Sequence, residues 1–85
     1  MVKVEWTEAS LKDLNGLDKT ITQRIIKKIS WLSHNFENII PESLSQELKG
    51  AYKLRIGDWR VVYSLEDNVI VIQFIGHRSK IYKIK

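Results

Sequence analysis

The fold is decided by residues 51–77, which read AYKLRIGDWRVVYSLEDNVIVIQFIGH. Apolar side chains alternate there with polar or charged ones, a period of two that is typical of β-strands. Gly57-Asp58 and Asp67-Asn68 are pairs that tolerate the positive φ of tight hairpin turns. The stretch therefore predicts an antiparallel meander of three strands. The strands span about 51–56, 59–66 and 69–77.

Two-residue turns also fix which residues lie opposite one another across the meander. In this register Arg55 faces Arg60, and Val61 faces Phe74. One face of the sheet is then apolar and suited to cover by helices, whereas the other is more polar and collects its cations at one end. The apolar face carries Tyr52, Leu54, Ile56, Trp59, Val61, Tyr63, Leu65, Ile70, Ile72 and Phe74. The polar face carries Lys53, Arg55, Arg60, Val62, Ser64, Val71, Gln73, Ile75 and His77.

The first part of the chain predicts one strand followed by two helices. Residues 2–6 alternate apolar and charged side chains, as a strand does. Thr7 is a suitable N-cap for a short helix from about Glu8. Asp18 is a suitable N-cap for a second helix that runs to about Asn35 and presents one apolar stripe. Two helices with a short break between them predict an antiparallel helical hairpin.

The remaining segment, from Glu37 to Gln46, holds the only proline and predicts a loop. Trp31 lies beside the apolar stripe of the second helix, so we expect its ring to be half exposed. At 85 residues the chain has room for one core. It therefore predicts a single α+β domain, residues 1–85, of order β-α-α-β-β-β. The N-terminal strand and the helical hairpin pack on one face of a mainly antiparallel sheet.

Composition excludes several kinds of site and location. The chain has no cysteine, which excludes disulfides and thiolate metal sites and favours a reducing cytoplasm. Its first residues interleave charged and apolar side chains, unlike a signal peptide, and no apolar run is long enough to cross a bilayer. There is no P-loop, dinucleotide-binding turn or Ser-His-Asp arrangement. We expect neither a metal nor a small-molecule cofactor.

Positive charge is concentrated towards the end of the chain. Residues 1–48 hold six Lys and Arg against seven Asp and Glu, whereas residues 49–85 hold eight against three. A basic surface favours nucleic acid, an acidic protein or anionic lipid as a partner, although it also serves solubility alone. Charge by itself does not choose between these alternatives.

The facing pair Arg55 and Arg60 adds a local argument. Like charges opposite each other destabilise a ladder by roughly 0.2–1 kcal/mol. Lys53 lies two residues away on the same face, with His77 near it, and we expect no carboxylate between these cations. We therefore predict an anion site, because arginine forks suit phosphate oxygens and a basic sheet face suits an extended nucleic-acid strand.

Three blocks resemble the signature of the RelE/ParE toxin superfamily: LKG at 48–50, YKLRIGDWRVVY at 52–63 and GHRSKIY at 76–82. The predicted element order is also similar to that of the superfamily, so the resemblance covers nearly the whole chain. It implies the toxin of a type II toxin–antitoxin system. In the RelE branch such a toxin is a ribosome-dependent endoribonuclease that cuts mRNA in the ribosomal A site and so inhibits translation. The implied partners are a RelB-like antitoxin, the ribosome and mRNA.

The resemblance also implies roles for individual residues. Lys53 and Arg55 match two basic catalytic positions on the first meander strand. Arg60 and Arg78 match phosphate-contacting arginines, and Tyr82 matches a C-terminal tyrosine suited to stacking on a base. The expected contacts to RNA or the ribosome are Lys49, Lys80 and Lys83.

This set of residues fits cleavage by attack of a 2′-hydroxyl on the adjacent phosphate. Arg60 and Arg78 suit stabilisation of the added negative charge, and Lys53 suits the general base. His77 is either a further acid–base group or a cap at the strand end. Strict alternation places His77, rather than Arg78, on the cationic face, unless a bulge at Gly76 turns Arg78 inward.

Two other functions stay open. A ParE-like relative inhibits DNA gyrase by binding it, and a basic domain without catalysis binds nucleic acid alone. A gyrase inhibitor has no chemical reason to keep the full basic set, and a pure binder has no need of the tyrosine. The discriminating set is Lys53, Arg55, Arg60, Arg78 and Tyr82.

Overall fold

A computed structural model describes residues 1–45 and 50–81 of the chain. The two longer helices and the three meander strands have the predicted bounds, whereas a two-residue strand and a short last helix are additional. A 3-10 turn at Phe36–Asn38 follows the second helix. The elements are β1 Lys3–Trp6, α1 Glu8–Asn15, α2 Lys19–Asn35, β2 Glu42–Ser43, β3 Ala51–Ile56, β4 Trp59–Glu66, β5 Val69–His77 and α3 Arg78–Ile81.

The strands form one sheet of order β1-β5-β4-β3-β2. β1 runs parallel to β5, and the other neighbours are antiparallel. This arrangement confirms the predicted α+β fold with a mainly antiparallel sheet. The predicted loop before the meander contributes β2, in which Glu42 pairs with Lys53 and Ser43 pairs with Tyr52. Pro41 precedes this strand at the sheet edge, where a missing backbone donor is tolerated.

Both helix starts are capped as the sequence predicts. The Thr7 hydroxyl oxygen accepts a hydrogen bond from the Ser10 N–H at 3.1 Å. An Asp18 carboxylate oxygen accepts one from the Ile21 N–H at 2.9 Å. Each cap satisfies one of the free N–H groups at the helix start and is worth about 1 kcal/mol of stability.

The main core lies between the two helices and one face of the sheet. Ile25 and Leu32 of α2 are fully buried, as are Ile70 and Ile72 of β5. Tyr63 is 1% exposed, and its burial, with a smaller contribution from neighbouring Tyr52, raises its pKa to about 12. None of the helices in the described part of the chain is both long and apolar enough to span a membrane.

A β-bulge interrupts the ladder between β4 and β5. Tyr63 pairs with Ile72, but Val62 pairs with Phe74, so Gln73 is an extra residue on β5. Side chains alternate between the two faces of a strand, and one extra residue exchanges the faces for everything beyond it. The second half of β5 therefore has the opposite orientation to the one that strict alternation predicts.

The prediction for this half of β5 was wrong. Val61 pairs with Ile75 rather than with Phe74. Ile75 belongs to the main core, while Phe74 packs against a smaller cluster on the other face. Gly76, which the sequence offered as a site for a bulge, pairs with Arg60 in a regular ladder.

Tertiary contacts from α1 and its N-cap reach the backbone of β5 at the bulge. The Thr7 hydroxyl donates to the Gln73 carbonyl at 2.9 Å, and an Asp13 carboxylate oxygen accepts from the Ile75 N–H at 2.9 Å. These bonds satisfy backbone groups of β5 beyond the end of β1, where no strand is present to pair with them. The bulge depends on residues about sixty positions away, which explains why the local sequence did not reveal it.

The second face of the sheet is partly apolar. Leu44, Val62 and Ile81 are buried together there, so the segment after β2 and α3 cover part of this face. A Cβ built on Gly76 would lie 3.2 Å from Ile81 Cδ1. Glycine at this position therefore allows α3 to approach the sheet closely.

Candidate functional site

The second face also carries the predicted cations of the meander. We call Lys53, Arg55 and Arg60 the basic face. Arg55 pairs directly with Arg60, as predicted, and Lys53 pairs with Val62. Their exposures differ widely: 58% of the Arg55 side chain is exposed, against 11% of the Lys53 side chain, and Arg60 is 6% exposed. The ladder thus brings three cations together but leaves only one of them open to solvent.

The expectation that no carboxylate lies among these cations was wrong. One oxygen of Glu42, Oε2, is 3.0 Å from Arg55 Nη2 and 3.1 Å from Arg55 Nε. The same oxygen is 3.6 Å from Lys53 Nζ. We call Glu42, Lys53 and Arg55 the Glu42 cluster. A single carboxylate oxygen therefore contacts both cations.

Glu42 is the residue of the site that the sequence did not reveal. It lies in a segment whose composition indicates a loop, and β2 contains only two residues. The available signal is indirect: without β2, the described sheet would end at β3 with an unpaired edge, and proteins commonly cover such edges. Pairing of β2 with β3 then places Glu42 directly beside Lys53.

Arg60 is a buried guanidinium without an acidic partner among the described residues. Its Nη1 donates to the carbonyl oxygens of Gly57 and Trp59, both at 2.8 Å. Its Nε is buried and has no hydrogen-bond partner in the described part of the chain. A buried charge of this kind is costly unless it is compensated. Arg60 therefore has capacity to bind an anion, although its burial restricts access.

Arg78 approaches the same turn from α3. Its backbone N–H donates to the Asp58 carbonyl at 2.8 Å, and its Nε lies 3.6 Å from Asp58 Oδ1. The Arg78 side chain is 61% exposed. Since Arg60 binds the Gly57 carbonyl, the β3–β4 turn contacts both arginines. Arg78 begins a helix rather than continuing β5, so bulge geometry at Gly76 is not what positions it.

His77 does not lie on the basic face, which corrects the prediction. It pairs with Trp59, and the two rings meet edge to face at 5.6 Å. The bulge at Gln73 is the reason, because it exchanges the faces of the residues that follow. His77 Nδ1 accepts a hydrogen bond from the Ser79 N–H at 3.2 Å and lies 2.9 Å from Ser79 Oγ. The ring caps the start of α3, in keeping with the alternative role considered for it.

The other predicted contacts are only partly described. Lys80 is exposed and lines a groove of about 360 Å³ with Lys12 and His77, away from the Glu42 cluster. Lys49, Tyr82 and Lys83 lie outside the described residues. Within residues 1–45 and 50–81, no three His, Asp or Glu side chains are grouped so as to hold a metal ion.

Comparison with known proteins identifies the family. A family model for the ParE toxin of the type II toxin–antitoxin system parDE matches residues 4–82. A RelE-like toxin protein of Escherichia coli is 31% identical over 96% of this chain and 90% of its own length. The chain belongs to the RelE/ParE toxin superfamily. It is accordingly the toxin of a type II toxin–antitoxin system.

Solved structures of this superfamily share the toxin's fold. The RelBE2 toxin–antitoxin complex of Mycobacterium tuberculosis gives a TM-score of 0.77 at 26% identity, covering 91% of this chain and 98% of that one. The ParDE system of Pseudomonas aeruginosa gives a TM-score of 0.74 at 15% identity, covering 91% of this chain and 96% of that one. The toxin thus resembles RelE and ParE structures almost equally well. Backbone shape does not assign the branch, whereas the side chains of the site differ in the chemistry that they permit.

Proposed function

We propose that this toxin is an endoribonuclease that cuts mRNA in the ribosomal A site and thereby inhibits translation. The observation that carries the proposal is the basic face, above all Arg60. A buried guanidinium with an unpaired Nε and no carboxylate partner in the described structure is suited to an incoming anion. Its neighbour across the ladder, Arg55, is another arginine. Arginine forks bind phosphate oxygens through paired hydrogen bonds, so an RNA phosphate fits this chemistry.

The proposed reaction is transfer of the phosphate to the neighbouring 2′-oxygen. The 2′-hydroxyl loses its proton as its oxygen bonds to phosphorus, and the bond from phosphorus to the 5′-oxygen breaks. The 5′-oxygen then takes up a proton from solvent, and the protonated base releases its own proton to solvent, leaving a cyclic phosphate and a 5′-hydroxyl end. Negative charge on the phosphate oxygens rises in the transition state, and the arginines stabilise it more strongly there than in the ground state.

Individual roles follow from position. Lys53 is the amine of the basic face, and we assign its neutral form as acceptor of the 2′-hydroxyl proton. Arg55 and Arg60 hold the phosphate, and Arg78 stabilises charge from the side of the β3–β4 turn. Tyr82 is assigned to stacking on a base by the family resemblance. Proton transfer by these groups is weak without exact placement, and the ribosome supplies the placement by holding the mRNA.

The proposed partners follow from the same surface. A RelB-like antitoxin with acidic residues would neutralise the basic face, and the M. tuberculosis relative was solved as a complex with its antitoxin. The ribosome and mRNA are the proposed targets in the cytoplasm. We propose that no metal or small-molecule cofactor takes part, since the cations of the protein supply the charge stabilisation.

A gyrase-directed toxin is the alternative that a specific observation favours. The matching family model is that of the ParE toxin. Such a protein would inhibit DNA gyrase by binding it and would leave mRNA intact. The basic face supports the ribonuclease, because protein binding alone gives no reason to bury an arginine that has no acidic partner among the described residues.

Primer-extension mapping of mRNA during in vitro translation tests the proposal. We expect A-site cuts with the wild-type protein and loss of the cuts with Arg55→Ala and Arg78→Ala. Both side chains are largely exposed, so neither change threatens the fold. Lys3→Ala is the control, because Lys3 is an exposed cation on β1, away from the basic face. Intact mRNA with the wild-type protein, together with stalled DNA replication in cells, would assign the toxin to the gyrase-directed branch.

A further inference from the structure

Helix α2 is basic and holds its charge without compensation. The helix carries three lysines and one arginine but no aspartate or glutamate. Among the ion pairs of the described residues, none involves this helix. Arg24, Lys27 and Lys28 stand three and four positions apart, a spacing at which like charges repel each other. Such a cluster is stabilised when an anionic partner binds it.

Trp31 continues the row by one more turn. Residues 24, 27, 28 and 31 have the i, i+3, i+4, i+7 spacing of one helix face and span about 10 Å along the axis. Trp31 is 43% exposed, and Lys28 Nζ lies over its ring, 4.1 Å from the ring centre, so a base that stacks on this face displaces the amine. We call these four residues the α2 stripe. An exposed indole beside amines combines the two elements that single-stranded nucleic acid recognises, a stacking platform and cations for the phosphates.

Two grooves border the α2 stripe, and one of them reaches the basic face. One, of about 430 Å³, is lined by all four residues of the stripe and by Ile56 at the end of β3. The other, of about 280 Å³, is lined by Lys28 and Trp31 and by the Glu42 cluster. Arg24 also reaches the β3–β4 turn, since a Cβ built on Gly57 would lie 3.1 Å from Arg24 Nη2. The cations of the helix and of the sheet thus border one continuous surface around the edge of β3.

We propose that the α2 stripe is a second RNA-binding site, which holds the single-stranded segment next to the phosphate on the basic face. One base stacks on Trp31, and backbone phosphates contact Lys27, Lys28 and Arg24. This inference rests on the proposed ribonuclease function and extends it to a flanking part of the substrate. An acidic peptide is the competing occupant. Continuity with the proposed phosphate site favours RNA, because a single strand can follow both surfaces.

Fluorescence anisotropy with a labelled single-stranded RNA tests the inference. An RNA of about 12 nucleotides has a length within the range of known single-strand binding sites. Trp31→Leu should raise Kd about tenfold, and Trp31→Phe should recover most of the affinity, because the phenyl ring still stacks. Lys27→Gln should reduce the slope of log Kd against log salt by about 0.7, the value for one phosphate contact on a single strand. Lys19→Gln is the matched control, a lysine of the same helix that lies off the stripe. Thermal melting checks that each variant is folded.

The outcomes separate this inference from the ribonuclease proposal. Equal Kd values and salt slopes for Trp31→Leu, Lys27→Gln and Lys19→Gln would overturn the second site, while A-site cleavage that depends on Arg55 would leave the ribonuclease intact. Loss of antitoxin affinity in Trp31→Leu, with RNA affinity unchanged, would identify an acidic peptide as the occupant and also overturn the inference. Absence of measurable RNA binding by the wild-type protein would overturn the inference as well.

Discussion

Substitution of Glu42 by glutamine should increase the affinity of the toxin for RNA. In the free protein this carboxylate lies beside Arg55 and Lys53, at the position proposed for the substrate phosphate. Unit charges about 4 Å apart interact by about 1 kcal/mol in water. Arg55 and Glu42 are both well exposed, so this value applies to their pair, and the shielded Lys53 adds a comparable amount. Displacing the carboxylate therefore costs about 1–2 kcal/mol, and its removal should lower Kd for RNA about 5- to 30-fold.

Anisotropy titration of a short single-stranded RNA measures this change, with Glu66→Gln as the control. Glu66 ends β4 and accepts a hydrogen bond from Ser64 without contacting the basic face. The control removes the same charge and should leave Kd within about twofold. Loss of the two ion pairs of Glu42 should lower the free energy of unfolding by no more than about 2 kcal/mol, since a pair of this kind is worth up to about 1 kcal/mol. The affinity gain is therefore measurable in a folded protein.

The opposite result would refute this reasoning. If Glu42→Gln binds RNA no more tightly than Glu66→Gln, the carboxylate does not compete with a phosphate. If binding weakens and A-site cleavage falls as well, Glu42 supports the substrate or the reaction. In either case Lys53 and Arg55 would not form the phosphate site as proposed.

Three further predictions concern buried groups. Arg60→Met should abolish A-site cleavage. Urea denaturation should show that the free energy of unfolding changes by less than about 2 kcal/mol, because the removal of a buried charge offsets the lost hydrogen bonds. Global unfolding of the variant would contradict this prediction. Asp13→Ala should destabilise the protein by about 1–3 kcal/mol, since it leaves the buried Ile75 N–H unpaired, whereas Asp13→Asn, which keeps an acceptor, should lose less in the same assay. The pKa of Tyr63 is raised to about 12, so the folded protein keeps the phenolic proton at a pH where the unfolded chain, with a pKa near 10, releases it. The stability that Tyr63 contributes is therefore complete below about pH 10 and is lost as the pH rises towards 12. Tyr63→Phe should reduce the fall in melting temperature over this range, and an unchanged fall would show that other groups cause it.

The sequence predicts those parts of the fold that local signals determine. Thr7 and Asp18 cap the helices at the expected positions, and Asp67 and Asn68 adopt the positive φ of a tight turn. The bulge at Gln73 depends on contacts from α1 and was missed. A period-two pattern therefore predicts strand pairing near a turn better than far from it.

The same limit explains the outcome for the site. The predicted pairing of Arg55 with Arg60 is confirmed because it lies close to the Gly57 turn. The placement of His77 failed because the bulge intervenes. Neither the approach of Glu42 nor the burial of Arg60 could be predicted, since both depend on how β2 and α3 cover the sheet. The residue types indicated phosphate-binding chemistry, but the exposure of each side chain depends on the tertiary structure.

The position of β1 has a consequence for the timing of folding. β1 is the first strand of the described residues, yet its ladder partner is β5, the last strand among them, in a pairing that joins Lys3 to Val69 and Trp6 to Ile72. Contacts over such sequence separations slow folding, because the intervening chain must be ordered first. A ribosome synthesising this protein therefore releases β1 long before its partner exists, and the sheet closes only after residue 72 has emerged. A nascent chain still lacking that residue does not yet contain the completed sheet.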